Sequence, residues 1–410
     1  MLLKIALRNL ARNKKRTVYT ALVIAAIICF YVFADALVAG MMESSYQNIT
    51  DYQFGHIQIT SPAYWQEREE YPLDSLIHID SGLREEIIDL AGVQGASPRL
   101  DFTAELSDGR DDLPVVGRAV DPESERENFR LEEGMAAGEF IEAGSQQAVM
   151  GEKLADDMQL ELGDNFMLIV RTRQEAFNVI DLNLVGLLDT PNPQINEYYV
   201  YLPLETAQRA LVVEDDYSHL ALRLADSDLT DGAAVEINNM MAERGYDYQA
   251  YTWEEGAEEL KIMEEYSQTV LVFILGIILL LAVAGIINTV VLMVLERLQE
   301  IGMMKAMGMK IKEITAVLAL EAGGIGVLGG ILGCIMGAFA VYLLQTYGIN
   351  IYAGMEGELD IPISMAVVYG HWNPDAFIFV FFYSTIVSFL ASLPPAYWGA
   401  SKDPAEILRN

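Results

Sequence analysis

Four runs of this sequence are long and apolar enough to cross a bilayer: Val18–Val38, Val270–Leu295, Ile314–Leu344 and Phe377–Leu393. A hydrocarbon core about 30 Å thick takes about 20 helical residues to cross. The second and third runs exceed that length, so they have to tilt or project beyond the membrane. Inside hydrocarbon every backbone N–H and C=O needs an internal partner, so each run is expected as a helix. More than 200 residues of ordinary globular composition separate the first run from the second. A stretch of that length is a domain and not a loop.

Basic residues set the orientation. Lys4, Arg8, Arg12, Lys14, Lys15 and Arg16 precede the first run, and Arg297, Lys305, Lys310 and Lys312 lie between the second and third. Lys402 and Arg409 follow the fourth. The segment between the third and fourth runs instead carries Glu356, Glu358, Asp360 and Asp375, with no Lys or Arg. Cytoplasmic loops hold the excess of Lys and Arg, so both termini and the 296–313 loop are expected inside and the large domain outside. The charge agrees. Residues 43–267 hold 48 acidic against 14 basic side chains, a net of −34 that accounts for the −33 of the whole chain. Such a surface would attract a basic partner or cationic substrate, and is equally expected of adaptation to a salty habitat.

The first run follows a basic start, but it is longer than a signal-peptide core and no small-residue cleavage pattern follows it. It is expected to remain as an anchor whose helix continues outward through Asp35 and Glu43 to about Tyr52. The expected fold class is thus an α-helical membrane protein with four transmembrane helices and an α+β extracytoplasmic domain between helices 1 and 2. The expected order is an amphipathic cytoplasmic N-terminus (1–17), a first span and stalk (18–42), the α+β domain (43–252), and a second stalk and span (253–295). A cytoplasmic helix (296–313), a third span (314–345), a short outer loop (346–375), a fourth span (376–397) and a cytoplasmic tail (398–410) complete it.

Within the domain, alternation and turn residues predict strands over Phe54–Thr60, Val93–Leu100, Leu113–Val120, Tyr198–Leu202 and Leu220–Leu224. Phe166–Arg171 and Leu182–Leu188 read as a hairpin, and Gly82–Leu90, Leu204–Val212 and Gly232–Arg244 as helices. The early and late strand–helix–strand passes are expected to pair into one subdomain, with the middle strands forming a second. Thr252–Ser267 reads as a polar helix feeding into the second span.

Catalytic chemistry is hard to find. No G-x-x-x-x-G-K-[ST] phosphate cradle is present, so no nucleotide hydrolysis is expected of this chain, nor any cofactor. The glycine-rich run Gly323–Gly337 has no lysine and lies in a span. Its spacings Gly326/Gly330, Gly329/Gly333 and Gly333/Gly337 fit close helix packing. His56, His78, His219 and His371 lack ligand spacing, so no metal site is expected. Cys29 and Cys334 fall in apolar runs and read as packing residues, and the pairs Asp111/Asp112 and Asp215/Asp216 as solvated surface. Nothing points to a nucleic-acid partner.

The loop 296–313, ERLQEIGMMKAMGMKIKE, is more informative. Leu298, Ile301, Met304, Met307 and Ile311 recur at helical spacing, with charges opposite. Such a helix either rests on the inner leaflet or docks its methionine-rich side in a groove of a cytoplasmic partner. A second candidate is Glu321, a carboxylate inside a span. That placement is costly and marks either a function or a structural partner for a base near the cytoplasmic face, since Glu321 is about two turns from Glu313.

ERLQEIGMMKAMGMK resembles the E-R-x-x-E-I-G-x-x-[KR]-A-x-G motif of FtsX/MacB-type ABC transporter permeases. The start LLKIALRNLARNKKRT, the stretch LEEGMAAGEF…AVMGEKLADDMQLELGDNF and the tail PPAYWGASKDPAEILR are similar to further patterns of that family. The resemblance implies a permease working by mechanotransmission, in which a separate subunit binds ATP and Mg²⁺. One copy of that subunit would dock on each of two paired permease chains. It also implies that Glu296, Arg297, Glu300, Ile301, Gly302, Lys305, Ala306 and Gly308 form the coupling site, joined by Met304 and Met307 of the apolar side. The family often carries an acid at the place of Glu321. The nearest likeness is to the lipoprotein-releasing LolC/LolE type, which extracts acylated proteins for a periplasmic chaperone. The hairpin turn Arg171–Asn178 is short and lacks the proline of the chaperone-binding LolC type, which leaves a LolE-like chain, or one without a chaperone, open. Two alternatives stand beside it: a MacB-like pump for peptides or small molecules, and an FtsX-like transducer that switches a cell-wall hydrolase.

Overall fold

In the computed structural model the described residues are Arg8, 14–350 and 367–402. Most of the 1–17 segment, the loop residues Glu356, Glu358 and Asp360, and the tail beyond 402 with Arg409 lie outside them. The chain divides into two compact units, one holding the described residues before Ser44 and after Lys261, the other Ser44–Lys261. In chain order the main helices are α1 (Lys14–Asn48), α2 (Ser81–Ile88), α3 (Leu204–Leu211), α4 (Thr230–Arg244), α5 (Glu258–Glu296), α6 (Leu298–Ala306), α7 (Ile311–Tyr347) and α8 (Pro374–Ser401).

Helices α1, α5, α7 and α8 contain the four stretches long and apolar enough to span a membrane. Their packing is written in the glycines of α7. A Cβ on Gly329, Gly333 or Gly337 would meet Ile24, Ile28 or Val32 of α1 at 2.8, 2.7 and 3.1 Å. A Cβ on Gly326 or Gly330 would meet Ser388 or Phe381 of α8 at 2.8 and 2.7 Å. Helix α7 thus has two glycine faces, one letting α1 approach and one letting α8 approach. Lipid tails are as apolar as leucine, so close van der Waals packing is what holds such helices together.

The outer unit is built on strands β1 (Ile57–Thr60), β2 (Val93–Ser107), β3 (Asp112–Val120), β4 (Met135–Gly138), β5 (Gln147–Gly151), β6 (Asn165–Arg171), β7 (Phe177–Leu188), β8 (Tyr199–Pro203), β9 (His219–Leu224) and β10 (Gln249–Thr252). Early and late passes pair as expected, in the order β10-β1-β9-β2. The middle strands do not form a separate sheet. They continue the same path as β3-β8-β5-β7-β4, with β6 against β2 and β7. The reason is the length of β2, 15 residues, which pairs with β9 through its first half and with β6 through its second. Strand β1 starts later than its alternation implies, because Ile49–Gln53 is still helical, wound as a π turn that Phe54 closes onto the Ile49 carbonyl. A core of Ile57, Ile59, Ile77, Leu83, Leu100, Leu106 and Leu220 lies against the sheet. Each such side chain contributes about 1.5–3 kcal/mol when fully buried.

Two histidines, His56 and His219, are buried in this unit. His219 is buried and neither ring nitrogen has a hydrogen-bond partner among the described residues. Burial pushes its imidazole down to about 3, Asp101 opposes the fall, and Arg118 and Arg99 add to it. The native domain refuses a proton that the unfolded chain accepts below the ordinary 6.5. Stability is therefore complete above that value and falls as pH drops toward 3, at most on the order of 1.4 kcal/mol per pH unit. His219→Leu forfeits no hydrogen bond and is expected to move the acid midpoint of proteolytic opening of the domain downward. An unchanged midpoint would mean that His219 takes up no proton on unfolding.

Close approach in the bundle makes a second prediction. Gly333→Leu forces Ile28 away and is expected to lower the thermal stability of the detergent-solubilised chain by overpacking, about 1–3 kcal/mol. Gly276→Ala on α5, with nothing among the described residues within 4 Å of the new Cβ, is expected to be neutral or mildly stabilising. Equal stability of the two variants would show that the α7 contacts give way freely.

Candidate functional site

The segment between α5 and α7 is not the single helix its spacing implies. Helix α5 ends at Glu296, Arg297 breaks it with φ −113°, and α6 runs only from Leu298 to Ala306. Gly308 then adopts φ +92°, a backbone that side-chain-bearing residues rarely adopt, and extended Lys310 opens α7 at Ile311. Glu313 completes that start, its carboxylate accepting from the Lys310 backbone N–H at 2.8 Å.

The expected apolar stripe divides accordingly. Ile301 is only 1% exposed and belongs to the core of the helix bundle, with Leu298 and Met304 packed against it. Gly302 is buried beside it. Met303 and Met307 face out, 52% and 77% exposed, and Ile311 is exposed on the next helix. Ile301 and Met304 are thus corrected from a free docking face to the side that seats α6 on its own bundle. The physical reason is the break at 307–310, which cuts the run of spacing after about two and a half turns and lets α6 lie down on α7 and α8. Ala306 and Gly308 stand at the exposed end of α6, Glu296 is at the surface and Glu300 half-buried. The Lys305 ammonium donates to the Lys402 carbonyl at 2.6 Å, tying α6 to the end of α8.

Arg297 holds this turn from below. Its Nη1 donates to both carboxylate oxygens of Glu321, at 3.1 and 3.0 Å, and both residues are buried. Glu321 on α7 thus has a base as its partner, and that base is the first residue past α5. Glu300 stands 3.9 Å from Arg297 as well. Arg297 Nη2 is buried with no hydrogen-bond partner among the described residues. Two charges away from water are costly, and such a pair fixes geometry better than it adds stability.

Sequence reasoning missed a second cluster, in the outer unit. Arg99 on β2 and Arg118 on β3 are buried, pinned by Glu125 and Asp101. Burial would raise the Asp101 carboxyl, but the Arg118 guanidinium outweighs it and holds the group below the usual carboxylate range. The signal available was the pair of basic residues at strand positions in a domain short of bases. Every β2 residue from Gly95 to Phe102 is buried, so both faces of the strand are covered there and alternation could not single them out.

The FtsX-like permease C-terminal family model matches residues 272–404, and the MacB-like periplasmic core domain model matches residues 17–240. The chain belongs to the FtsX/MacB-type ABC transporter permeases. Among relatives of this permease, an uncharacterized ABC transporter permease of Methanocaldococcus jannaschii is 24% identical over 261 residues, 62% of this chain and 59% of that protein. The lipoprotein-releasing system transmembrane protein LolC of Xylella fastidiosa is 22% identical over 335 residues, 77% of this chain and 78% of that protein. The solved periplasmic region of MacB from Actinobacillus actinomycetemcomitans covers 52% of this chain and 96% of that structure, with TM-score 0.37 and 10% identity. This permease is a multi-pass membrane protein with a periplasmic-type domain, and permeases of its kind work with ATPase subunits.

Removing one member of the buried pair is expected to cost more than removing both. Arg297→Met or Glu321→Leu alone takes from a buried charge its opposite partner and should lower bundle stability by about 3–5 kcal/mol, whereas the double variant should recover most of it. Thermal unfolding of the purified permease checks this; additive losses would show that the two side chains do not depend on each other.

Proposed function

We propose that this permease is the membrane subunit of an inner-membrane ABC transporter that draws a lipoprotein or similar amphiphile from the bilayer into the periplasm. A separate cytoplasmic subunit binds ATP and Mg²⁺ and docks on α6, one copy on each of two paired permease chains. The chain contributes no catalytic residue. It converts closure of the ATPase pair into movement of its outer domain.

The observation that carries this reading is the α5–α6–α7 turn. One side of α6 is built into the bundle through Ile301, and the other offers exposed Met303 and Met307. Methionine is flexible and polarizable and adapts to a groove, and an amphipathic helix laid in a groove is a common docking mode. A push on α6 bears on Arg297 and so on Glu321 of α7. One observation supports an amphiphile as cargo: the LolC likeness extends through more than three quarters of both chains. Helix α5 also leaves Phe273, Ile277 and Leu280 uncovered, which suits a second permease chain beside it. The distribution of Lys and Arg supports cytoplasmic termini.

Purified from its own membranes, the intact permease is expected to bring down an ATPase subunit and acylated proteins, identified by mass spectrometry. Met303→Asp and Met307→Asp should release the ATPase while the chain stays inserted, because both side chains face out of the bundle. Ile301→Asp should instead reduce the yield of folded chain. Survival of the complex in both methionine variants would overturn the docking surface, and an intact permease without any ATPase would overturn the whole reading.

A further inference from the structure

The outer unit is acidic, yet four of the 14 basic side chains between residues 43 and 267 converge on the last turn of the first stalk. Arg99 uses Nε and Nη2 on the carboxylate of Glu125, at 3.2 and 2.6 Å. Arg118 uses the same two nitrogens on Asp101, at 2.7 and 2.8 Å. Each guanidinium is left with Nη1, and both Nη1 atoms donate to one acceptor, the backbone carbonyl of Gln53, at 2.7 and 3.0 Å. Two residues earlier, Asp51 is held by Arg223 of β9 at 2.9 Å and Arg130 at 3.4 Å. The Gln53 side chain bonds Asn192 and Gln194.

Several features make this more than core packing. The last carbonyls of a helix have no partner within it and carry the negative end of its dipole, so cations are favoured there. A single arginine would satisfy the Gln53 oxygen, but two fill both of its lone-pair directions. Each is fixed in place by a bidentate carboxylate and an aromatic ring, Phe129 on Arg99 and Tyr199 on Arg118, at 4.0 and 4.7 Å. Arg99 is fully buried and Arg118 nearly so. Two buried ion pairs add little stability beyond what apolar residues of the same shape would give, but they dictate geometry. Helix α1 runs without interruption from Lys14 to Asn48 and passes directly into the π turn that carries these contacts.

We infer that Arg99 and Arg118 form a rigid joint that grips the end of the first stalk at the Gln53 carbonyl, so that displacement of the stalk drags β2 and β3 of the outer sheet. This rests on the transmission reading given above, with the two arginines as positioning residues that act through the stalk backbone. Glu125 also accepts from Ser97, so loosening the Arg99 arm would strand that hydroxyl. The Arg118 arm is the cleaner one to remove.

The test uses the full permease with its ATPase in lipid nanodiscs, with Cys29 and Cys334 replaced by alanine. Spin labels at Val235→Cys, exposed on α4, and Ile335→Cys, exposed on α7, report the distance between domain and bundle with and without trapped ATP. The intact joint should show an ATP-driven change. Arg118→Met combined with Asp101→Leu should keep ATP turnover and a protease-resistant domain yet lose most of that change. Arg118→Lys, which keeps the charge but not the fork, should lose part of it and covers the case in which the double variant does not fold. An undiminished change in either folded variant overturns the joint alone. No change in the intact complex removes the transmission reading and the joint with it.

Discussion

Crossing hydrocarbon obliges a chain to satisfy its backbone within itself, and an α-helix does this everywhere except at its two ends. The unsatisfied groups then become the points that the rest of the fold must meet. In this permease the end of α1 is met by two arginines on the Gln53 carbonyl. At the end of α5 the chain turns through Arg297, whose side chain reaches back into the bundle to Glu321. Both sites use a buried guanidinium paired with a carboxylate: Arg99 and Arg118 grip theirs through Nε and Nη2, the fork that leaves least freedom to the charged group, while Arg297 reaches both Glu321 oxygens through Nη1 alone. Lysine could supply the charge at the stalk end but not the planar fork.

Between these ends, close approach does the holding. Helix α7 can accept α1 on one face and α8 on another because its glycines alternate between the two, Gly329, Gly333 and Gly337 toward α1 and Gly326 and Gly330 toward α8. Helix α5 has no such glycine face: among the described residues nothing stands within 4 Å of a Cβ on Gly276 or Gly285, and its close approach, Val294 against Gly399 of α8, lies at its Glu296 end. The bundle therefore has one tightly packed group of three helices and one helix less engaged with its own chain. A part that must move relative to the others is expected to lack interlocked contacts, since interlocked cores transmit strain but do not slide.

The same contrast explains what could be read from the sequence. Apolar length and the lack of bases between the third and fourth runs were enough for four helices and a large outer domain, because the bilayer leaves few alternatives. The motif ERLQEIG marked the turn after α5, and Glu321 stood out as a carboxylate in an apolar span. The side of α6 that faces inward was not legible. Spacing places Ile301, Met304 and Met307 on one stripe, and only the break at Gly308 decides that Ile301 is buried while Met307 is not. The role of Arg99 and Arg118 was also hidden. Their partners lie 26 and 17 residues away in Glu125 and Asp101, and the group they serve is a backbone carbonyl, which has no signature in side-chain order.

The charge of the outer domain takes on a different meaning beside this. Acidic side chains at the surface repel one another weakly, in water and behind salt screening, and the fold tolerates many of them. Buried arginines behave oppositely. Desolvation makes an unpaired guanidinium prohibitive, so each must bring a carboxylate inside with it, and Asp101 and Glu125 are the ones recruited. The interior pairs are neutral and short, which makes them insensitive to the salt and surface charge around them. A joint meant to hold under load in a strongly acidic domain has to be shielded from that domain's own field, and burial between β2, β3 and the stalk end supplies that shielding.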